Sequence, residues 1–151
     1  MSSGAELIAE LTARGLRHDS TEVEALTDRL DDAPVTLYCG FDPTADSLHI
    51  GNLQSIMLLR RFQLAGHAPI ALVGGATGMI GDPSGRSSER QFLDVEELDR
   101  NRECIGAQLG TFLDFDAGPG SARLVDNRTW TQDMGVLEFL RDVGKYVTIN
   151  T

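Results

Sequence analysis

One segment of the chain joins a predicted strand to a predicted helix: Tyr38-Cys39-Gly40-Phe41-Asp42-Pro43-Thr44-Ala45-Asp46-Ser47-Leu48-His49-Ile50-Gly51-Asn52. The preceding run, Val35-Thr36-Leu37, is apolar or β-branched and predicts a buried strand that ends at Gly40. The apolar pattern that follows predicts a helix from Ser47 or Leu48 to Ala65. A strand, a loop and a helix in this order are typical of a nucleotide site in an α/β protein.

The loop carries polar side chains that a core does not need: Asp42, Thr44, His49 and Asn52. Asp46 or Ser47 can cap the helix by accepting hydrogen bonds from its first N–H groups. Such a cap would place His49 and Asn52 in or next to the first helical turn. The unpaired N–H groups and the positive end of the helix dipole would then face the loop and favour a phosphate.

Length and composition predict one globular domain with no membrane partner. A chain of 151 residues with 41% hydrophobic residues can bury a sizeable core. It has no apolar run long enough to cross a membrane, and its first residues lack the basic start of a secretion signal, so we expect a cytoplasmic protein. The net charge of −10 disfavours a general nucleic-acid binder, and for any nucleic-acid partner the main basic surface would have to be local or lie elsewhere.

The two cysteines do not predict a metal site. Cys39 and Cys104 lie far apart in the sequence, and no pair of histidines has the spacing of metal ligands. We therefore expect two ordinary thiols and no tightly bound metal.

Residues 1–32 are predicted to form an N-terminal helical segment. One helix covers 5–14 and ends before Gly15, and a second follows the candidate caps at 19–22. Both repeat apolar side chains at helical spacing: Leu7, Ile8 and Leu11 in the first, and Val23, Leu26 and Leu30 in the second. We expect these helices to cover one edge of a sheet.

Residues 33–151 alternate predicted strands with predicted helices. The further elements are a strand over 70–73, a loop over 74–91, a helix that begins at Asp94, a strand over 122–125, and a helix over 136–143 capped by Asp133. The Asp94 helix has Glu97 as its capping-box partner and an apolar stripe of Leu98, Ile105, Leu109 and Phe112. Short apolar strands between helices predict a parallel sheet. The expected fold class is therefore α/β, a Rossmann-type (HUP-like) three-layer fold of which 33–151 is the first half.

The glycines of the 74–91 loop do not match the common phosphate-binding patterns. Gly75, Gly78 and Gly81 are spaced by three, which is neither the dinucleotide fingerprint nor a P-loop. They can serve a flexible loop, or they can let a substrate approach the backbone closely at the carboxyl end of a strand. We favour the second interpretation, because ligands of open α/β sheets sit at this edge.

Two strings of the sequence resemble signatures of one enzyme family. His49-Ile50-Gly51-Asn52 after a strand resembles the first signature of class I aminoacyl-tRNA synthetases, usually written His-Ile-Gly-His. The segment from Tyr38 to Gly51 and a later string resemble the tyrosyl-tRNA synthetases; that string is Gly74-Gly75-Ala76-Thr77-Gly78-Met79-Ile80-Gly81-Asp82-Pro83-Ser84-Gly85. The resemblance runs from about Leu11 to Asn150 and covers only the first part of the family's catalytic domain.

The resemblance implies a role for each matching residue in the activation of tyrosine by ATP. His49 and Thr44 would bind the ATP phosphates and gain strength as the α-phosphate is attacked, so catalysis would rest on positioning and charge stabilisation. Asn52 departs from the usual histidine but can still donate a hydrogen bond. The implied contacts are Cys39, Gly40, Asp42, Thr44, His49, Gly51 and Asn52 for ATP, Tyr38, Gly40, Asp42, Thr77, Asp82 and Asn127 for tyrosine, and Arg86 and Arg90 for the leaving pyrophosphate.

The implied function is the ATP-dependent activation of L-tyrosine to tyrosyl-adenylate and its transfer to tRNA(Tyr). ATP would be a substrate with Mg²⁺ bound to it, and the enzyme would be a homodimer. The lysine-rich second signature of the class is missing, since Lys145 is the single lysine, so we expect an N-terminal fragment that activates tyrosine poorly or not at all. The alternatives are a tryptophanyl-type synthetase, a nucleotide-binding module without catalysis, and a purely structural fragment.

Overall fold

The computed structural model describes residues 3–80 and 94–147. Its helices are α1 (Gly4–Ala13), α2 (Val23–Asp32), α3 (Ile50–Leu64), α4 (Gly75–Ile80), α5 (Val95–Leu109), α6 (Arg128–Thr131) and α7 (Val136–Asp142). Its strands are β1 (Thr36–Phe41), β2 (Ala68–Val73) and β3 (Arg123–Asp126), and two short 3-10 turns cover Gly118–Gly120 and Gly144–Tyr146.

The strands form a parallel sheet in the order β1-β2-β3, which confirms the predicted α/β class and parallel pairing. The register places Phe41, Val73 and Asp126 side by side at the carboxyl ends of the strands. The backbone continues this alignment past the strand ends, because Gly74 N donates to Phe41 O at 3.0 Å and Asn127 N donates to Val73 O at 3.1 Å. The three segments that follow the strands therefore leave the sheet at one edge.

Helices α3 and α5 pack with the sheet in one apolar core. Alternate residues of β1 and β2 point into it, and the helices contribute two turns each: Phe41, Ala71, Val73, Ile56, Leu59, Ile105 and Leu109. The other face of β1 carries Tyr38 and Gly40, and Tyr38 is 71% exposed. Within the described residues, then, the sheet and the helical layer on its first face are present, and the second face is open.

Helices α1 and α2 pack against the C-terminal half of α3 and beside the start of β1. Their apolar cluster consists of Leu7, Ile8, Leu11, Leu30, Phe62 and Ala65. A capping box fixes the start of α1, because Ser3 Oγ accepts from Glu6 N and Glu6 Oε2 accepts from Ser3 N. Both predicted helices are confirmed, although the N-cap of α2 is Glu22 and makes no side-chain cap bond. The division into a segment 1–32 and a domain 33–151 stays a prediction.

Helix α5 begins at the predicted cap, Asp94, but without the reciprocal Glu97 bond of the predicted capping box, and it ends earlier than predicted. Asp94 caps it by accepting a hydrogen bond from Glu97 N at 2.7 Å. The C-cap is Gly110, so Phe112 lies beyond the helix and is not part of its apolar stripe. Leu113 takes that place in the core, whereas Phe112 is 37% exposed.

Two further boundaries differ from the sequence prediction. Residues 75–80 form α4 where a loop was predicted, and Gly78 N closes its first turn by donating to Gly74 O at 2.7 Å. The remainder of that predicted loop lies outside the described residues. The N-cap of α7 is Gly135, so the cap predicted at Asp133 is wrong, because its side chain starts too far before the first helical N–H groups. Helix α7 leaves its apolar side chains exposed, with Val136 74% and Leu137 83% accessible.

His67 is a buried histidine that the fold holds in its neutral form. It is 2% exposed, and its Nδ1 accepts a hydrogen bond from Val35 N at 3.2 Å. Burial lowers the pKa of His67, because a charged imidazole would lose its solvation. A proton on Nδ1 would also remove the acceptor that Val35 uses.

We expect His67 to make the free energy of unfolding depend on pH. The unfolded chain binds a proton at His67 below about pH 6.5, whereas the folded chain resists it. The contribution of neutral His67 to the free energy of unfolding is therefore present above about pH 6.5 and is lost as the pH falls. Urea unfolding gives the free energy of unfolding at about pH 7.5 and at about pH 5.5. Between these two pH values His67→Asn should lose less of it than the wild type, because Asn Oδ1 can accept from Val35 N without titrating. His18→Asn, at an exposed position, should keep the wild-type dependence. Equal pH dependence in the wild type and His67→Asn would contradict this account.

Candidate active site

Three segments meet at the carboxyl edge of the sheet. The loop 42–49 follows β1, Gly74 and α4 follow β2, and Asn127 with α6 follows β3. Since the strand ends lie in register, these segments are neighbours although they are far apart in the sequence. This is the edge at which parallel α/β sheets bind their ligands.

A reciprocal capping box joins His49 and Asn52 at the start of α3. His49 is the N-cap, its Nδ1 accepts from Gly51 N at 3.0 Å, and Asn52 Oδ1 accepts from His49 N at 3.1 Å. The prediction that Asp46 or Ser47 caps this helix is therefore wrong, because the His49–Asn52 pair satisfies the first N–H groups and starts the helix at Ile50. The expected placement of His49 and Asn52 at the first turn is confirmed.

The capping box assigns the donors that His49 and Asn52 can offer to a ligand. Because Nδ1 of His49 accepts a hydrogen bond, the neutral imidazole carries its proton on Nε2, and the ring is exposed. Because Oδ1 of Asn52 accepts from His49 N, its amide NH₂ is the group that can donate outward. Both side chains thus present hydrogen-bond donors, which suits an anion.

Gly51 leaves room for the imidazole of His49. A Cβ at position 51 would lie 2.8 Å from His49 Cε1 and 2.9 Å from Nδ1, closer than carbon atoms approach. Any side chain at Gly51 would therefore displace the ring from its capping position. This reason is independent of the contact with ATP that the family resemblance implies for Gly51.

Asp42 and Thr77 come together around the backbone of Gly74. A Cβ at position 74 would lie 2.6 Å from Asp42 Oδ1 and would also collide with Thr77 Oγ1. The Thr77 hydroxyl donates to Gly74 O at 3.2 Å. A carboxylate and a hydroxyl from two different strand ends thus lie side by side, and Asp42 is exposed to solvent. A cationic ammonium group is a suitable partner for this pair.

Residues at the end of β3 contact the first turn of α4 and hold it in place. Asn127 Oδ1 accepts from Ala76 N at 2.7 Å, so the amide oxygen of Asn127 is used within the fold. The carboxylate of Asp126 touches Gly75, where a Cβ would lie 2.8 Å from Oδ2 and would also collide with Oδ1. Arg102 Nη1 donates to Asp126 at 3.2 Å and fixes that carboxylate.

The residues predicted along β1 divide between the two faces of the sheet. Tyr38 and Gly40 lie on the open face, where Tyr38 is accessible to a ligand. Cys39 points to the opposite face and packs beside the core. Tyr38 therefore does not have the buried packing role that its place at the end of an apolar strand would suggest, and Cys39 faces away from it.

Two residues of α5 that the sequence analysis did not select hold the loop 42–49. Asn101 Nδ2 donates to Pro43 O at 3.2 Å. Gln108 donates through Nε2 to Asp46 O at 3.1 Å and accepts from Leu48 N through Oε1 at 3.0 Å. Their signal in the sequence is that polar amides interrupt the otherwise apolar stripe of a helix.

Thr44 is exposed in the loop between β1 and α3, and the other predicted positions, Asp82, Arg86 and Arg90, lie outside the described residues. In residues 3–80 and 94–147, no group of three or more His, Cys, Asp or Glu side chains is arranged to hold a metal ion. Among the helices in those ranges, none has the length and apolar character needed to cross a bilayer.

A parallel sheet whose carboxyl edge bears a His-Ile-Gly-Asn helix start is the arrangement that the resemblance to the class I aminoacyl-tRNA synthetases predicts. The pattern of the family described as "tRNA synthetases class I (W and Y)" matches residues 30–151. The chain belongs to this family.

The similarity to known proteins extends over almost the whole chain. It is 60% identical over 144 residues to the tyrosine–tRNA ligase of Opitutus terrae and 54% identical over 145 residues to that of Bacillus caldotenax. These matches cover 95% and 96% of the chain but 34% and 35% of the relatives. The chain therefore spans about a third of the length of the curated relatives it matches.

Two solved structures have the same arrangement of strands and helices. A C-terminally truncated mitochondrial tyrosyl-tRNA synthetase of Aspergillus nidulans is 29% identical, with a TM-score of 0.82, and the match covers 99% of this chain and 44% of that one. The corresponding protein of Coccidioides posadasii is 28% identical, with a TM-score of 0.77 over 95% of this chain and 41% of its own.

Proposed function

We propose that this chain forms the ATP- and tyrosine-binding half of a tyrosine–tRNA ligase. The observation that carries the proposal is the His49–Asn52 capping box, which places two side-chain donors at a helix N-terminus on the ligand-binding edge of the sheet. The names of the relatives support tyrosine over tryptophan, since those reported above are all tyrosine–tRNA ligases or tyrosyl-tRNA synthetases.

The proposed reaction is attack by the tyrosine carboxylate on the α-phosphate of ATP, with pyrophosphate as the leaving group. No protein nucleophile is needed, so the protein contributes orientation and stabilisation of the developing negative charge. His49 Nε2–H and the hydroxyl of Thr44 would donate to phosphate oxygens, and the amide of Asn52 would donate to a ribose or phosphate oxygen. Arg86 and Arg90 would bind the leaving pyrophosphate, and Mg²⁺ would enter with ATP.

The tyrosine substrate would lie across the ends of β1 and β2. Its ammonium group would meet the Asp42 carboxylate beside Thr77, with Asp82 as a further acceptor. Its ring would extend along the open face towards Tyr38, where a phenol hydroxyl can pair with another. Gly40 and Gly51 would line the adenylate, Cys39 would contribute only its backbone because its side chain packs beside the core, and Asn127 would act by holding α4 in place.

The whole enzyme would transfer tyrosine to tRNA(Tyr) as a homodimer in the cytoplasm. The exposed apolar residues of α7, among them Val136 and Leu137, support a protein partner or a further part of the enzyme on that surface. The acidic net charge of −10 indicates that the main contacts to tRNA lie outside this chain.

Equilibrium binding of a non-hydrolysable tyrosyl-adenylate analogue tests this function. We expect the 151-residue chain to bind it and to be stabilised against unfolding, and to bind the tryptophanyl analogue about tenfold more weakly or worse. A chain that unfolds cooperatively but binds neither analogue would favour a structural fragment. Preference for the tryptophanyl analogue would support the alternative synthetase.

We also expect this chain alone to catalyse tyrosine-dependent pyrophosphate exchange at least about a thousandfold more slowly than a full-length relative. The chain carries the His49 end of the site but not the lysine-rich second signature, and each well-placed donor contributes about 3 kcal/mol to lowering the barrier. The measurement is exchange of labelled pyrophosphate, with the tyrosine ligase of Opitutus terrae as the reference. Turnover near that of the reference would show that the missing part is dispensable.

A further inference from the structure

The loop between β1 and α3 is held by side chains of α5. Asn101 binds Pro43 O, and Gln108 binds both Asp46 O and Leu48 N. In the part of the chain that the structure describes, these three contacts are the hydrogen bonds made by the backbone of residues 43–48. The backbone of residues 43–48 therefore makes no hydrogen bonds within the loop, and its conformation depends on two side-chain amides of a neighbouring helix.

The two amides occupy one face of α5, two helical turns apart. That face also carries Leu98, Ile105 and Leu109, which are buried in or beside the core. Asn101 is itself 3% exposed, so its amide is as buried as these apolar neighbours. Leu or Met would fit such a helix face without the cost of desolvating an amide. The polar groups are thus explained by the loop they hold and not by the requirements of the helix.

The anchored positions flank the two loop residues proposed to bind phosphate. Pro43 precedes Thr44 directly, and Leu48 precedes His49 directly. Gln108 accepts from the N–H of Leu48 and donates to Asp46 O, so it closes the last turn of the loop before the N-cap. A shift of this turn would move the imidazole of His49 and the hydroxyl of Thr44 relative to each other.

We propose that Asn101 and Gln108 are positioning residues that fix Thr44 and His49 for the α-phosphate of ATP. They touch neither nucleotide nor tyrosine and act through the backbone of the loop. The inference rests on the proposed function, since it assigns the loop a task in binding the adenylate. The anchoring of the loop itself can be measured without any ligand.

The first experiment measures amide hydrogen exchange in the 151-residue chain. Gln108→Met should speed exchange at Leu48 about tenfold or more, while the amides of Ile56 and Leu59 in the core of α3 stay as in the wild type. Gln108→Glu should keep Leu48 protected, because its carboxylate still accepts from that N–H but cannot donate to Asp46 O. Glu103→Met, on the exposed side of the same helix, is the matched control. Unchanged exchange at Leu48 in a folded Gln108→Met would overturn the anchoring.

The second experiment measures binding of the non-hydrolysable tyrosyl-adenylate analogue in a double-mutant cycle. Gln108→Met should weaken binding about tenfold in the wild-type background, since two hydrogen bonds to the loop are lost. In a His49→Ala background the same change should weaken binding less than about threefold, because the group it positions is absent. Equal losses in both backgrounds would overturn the proposal, since Gln108 would then act on stability and not through His49.

The two experiments separate the positioning from the proposed function. If the wild-type chain does not bind the analogue, the function fails while hydrogen exchange still decides whether Gln108 anchors the loop. If Gln108→Met does not fold, Asn101→Leu provides the second test, because it nearly keeps the size of the buried side chain and removes the donor to Pro43 O. Faster exchange at Leu48 and His49 in Asn101→Leu, with the α3 core unchanged, supports the proposal, and unchanged exchange overturns it.

Discussion

Replacing His49 with alanine in a full-length enzyme that carries this segment is expected to slow tyrosyl-adenylate formation about 10²–10³-fold. The affinity for tyrosine should change by no more than about twofold, because the imidazole meets the phosphate and not the amino acid. The physical reason is the tautomer assigned by the capping box, in which Nδ1 accepts from Gly51 N and Nε2–H remains as a donor. That donor meets the α-phosphate and gains strength as negative charge develops there.

The alanine variant also removes a helix cap, and His49→Asn separates the two effects. Asparagine is among the best N-cap residues and can accept from Gly51 N, so His49→Asn should keep the stability that His49→Ala loses, about 1 kcal/mol. It cannot place a donor where Nε2–H lies, so its rate should be as low as that of the alanine variant. Single-turnover adenylate formation and urea unfolding measure the two quantities separately.

The outcome that contradicts this assignment is a His49→Asn enzyme with the wild-type rate. His49 would then serve the fold as a cap and not the reaction. A tyrosine Kd that rises in proportion to the loss of rate would contradict it as well, because the lost interaction would then belong to the ground state. His18→Ala, at an exposed position after α1, is the control and should leave both quantities unchanged.

The sequence predicts those strands and helices whose apolar residues repeat with the period of the element. β1 and α3 were predicted because their apolar residues repeat at strand and helix periods, and α5 because Asp94 starts a pattern that continues to Leu109. The presence of His49 and Asn52 at a helix start followed from the same pattern. The identity of the N-cap could not be predicted from that pattern. Asp46 and Ser47 are better caps in isolation, but they lack the reciprocal partner that His49 has in Asn52.

Contacts between distant parts of the chain could not be predicted from one sequence. The amides of Asn101 and Gln108 meet a loop that lies 58 to 62 residues earlier, and only the packing of α5 against the sheet brings them there. Helix α4 was missed for a related reason. Glycine-rich sequence disfavours a helix, but the bond from Ala76 N to Asn127 and the fit of Gly75 against Asp126 support one.

The second large effect is expected at Gly75, which has no space for a side chain. Gly75→Ala should lower the free energy of unfolding by about 2–3 kcal/mol, because its Cβ would overlap the carboxylate of Asp126. That carboxylate cannot easily move aside. It is almost buried, it accepts from Arg128 N at 2.9 Å, and Arg102 pairs with it at 3.2 Å. The strain must then be relieved by a shift of α4, and Gly74 and Thr77 would move with it.

A double-mutant cycle with Asp126 shows whether this collision is the cause. Asp126→Ala alone should destabilise the fold, since Arg102 and Arg128 N lose their acceptor. In that background, however, Gly75→Ala should cost less than about 1 kcal/mol, because the atoms it would meet are gone. Gly135→Ala is the matched control, as a Cβ there has open space and its φ is negative. Urea unfolding measures the four proteins of the cycle and the control, and strictly additive losses would show that the fit between Gly75 and Asp126 does not hold α4 in place.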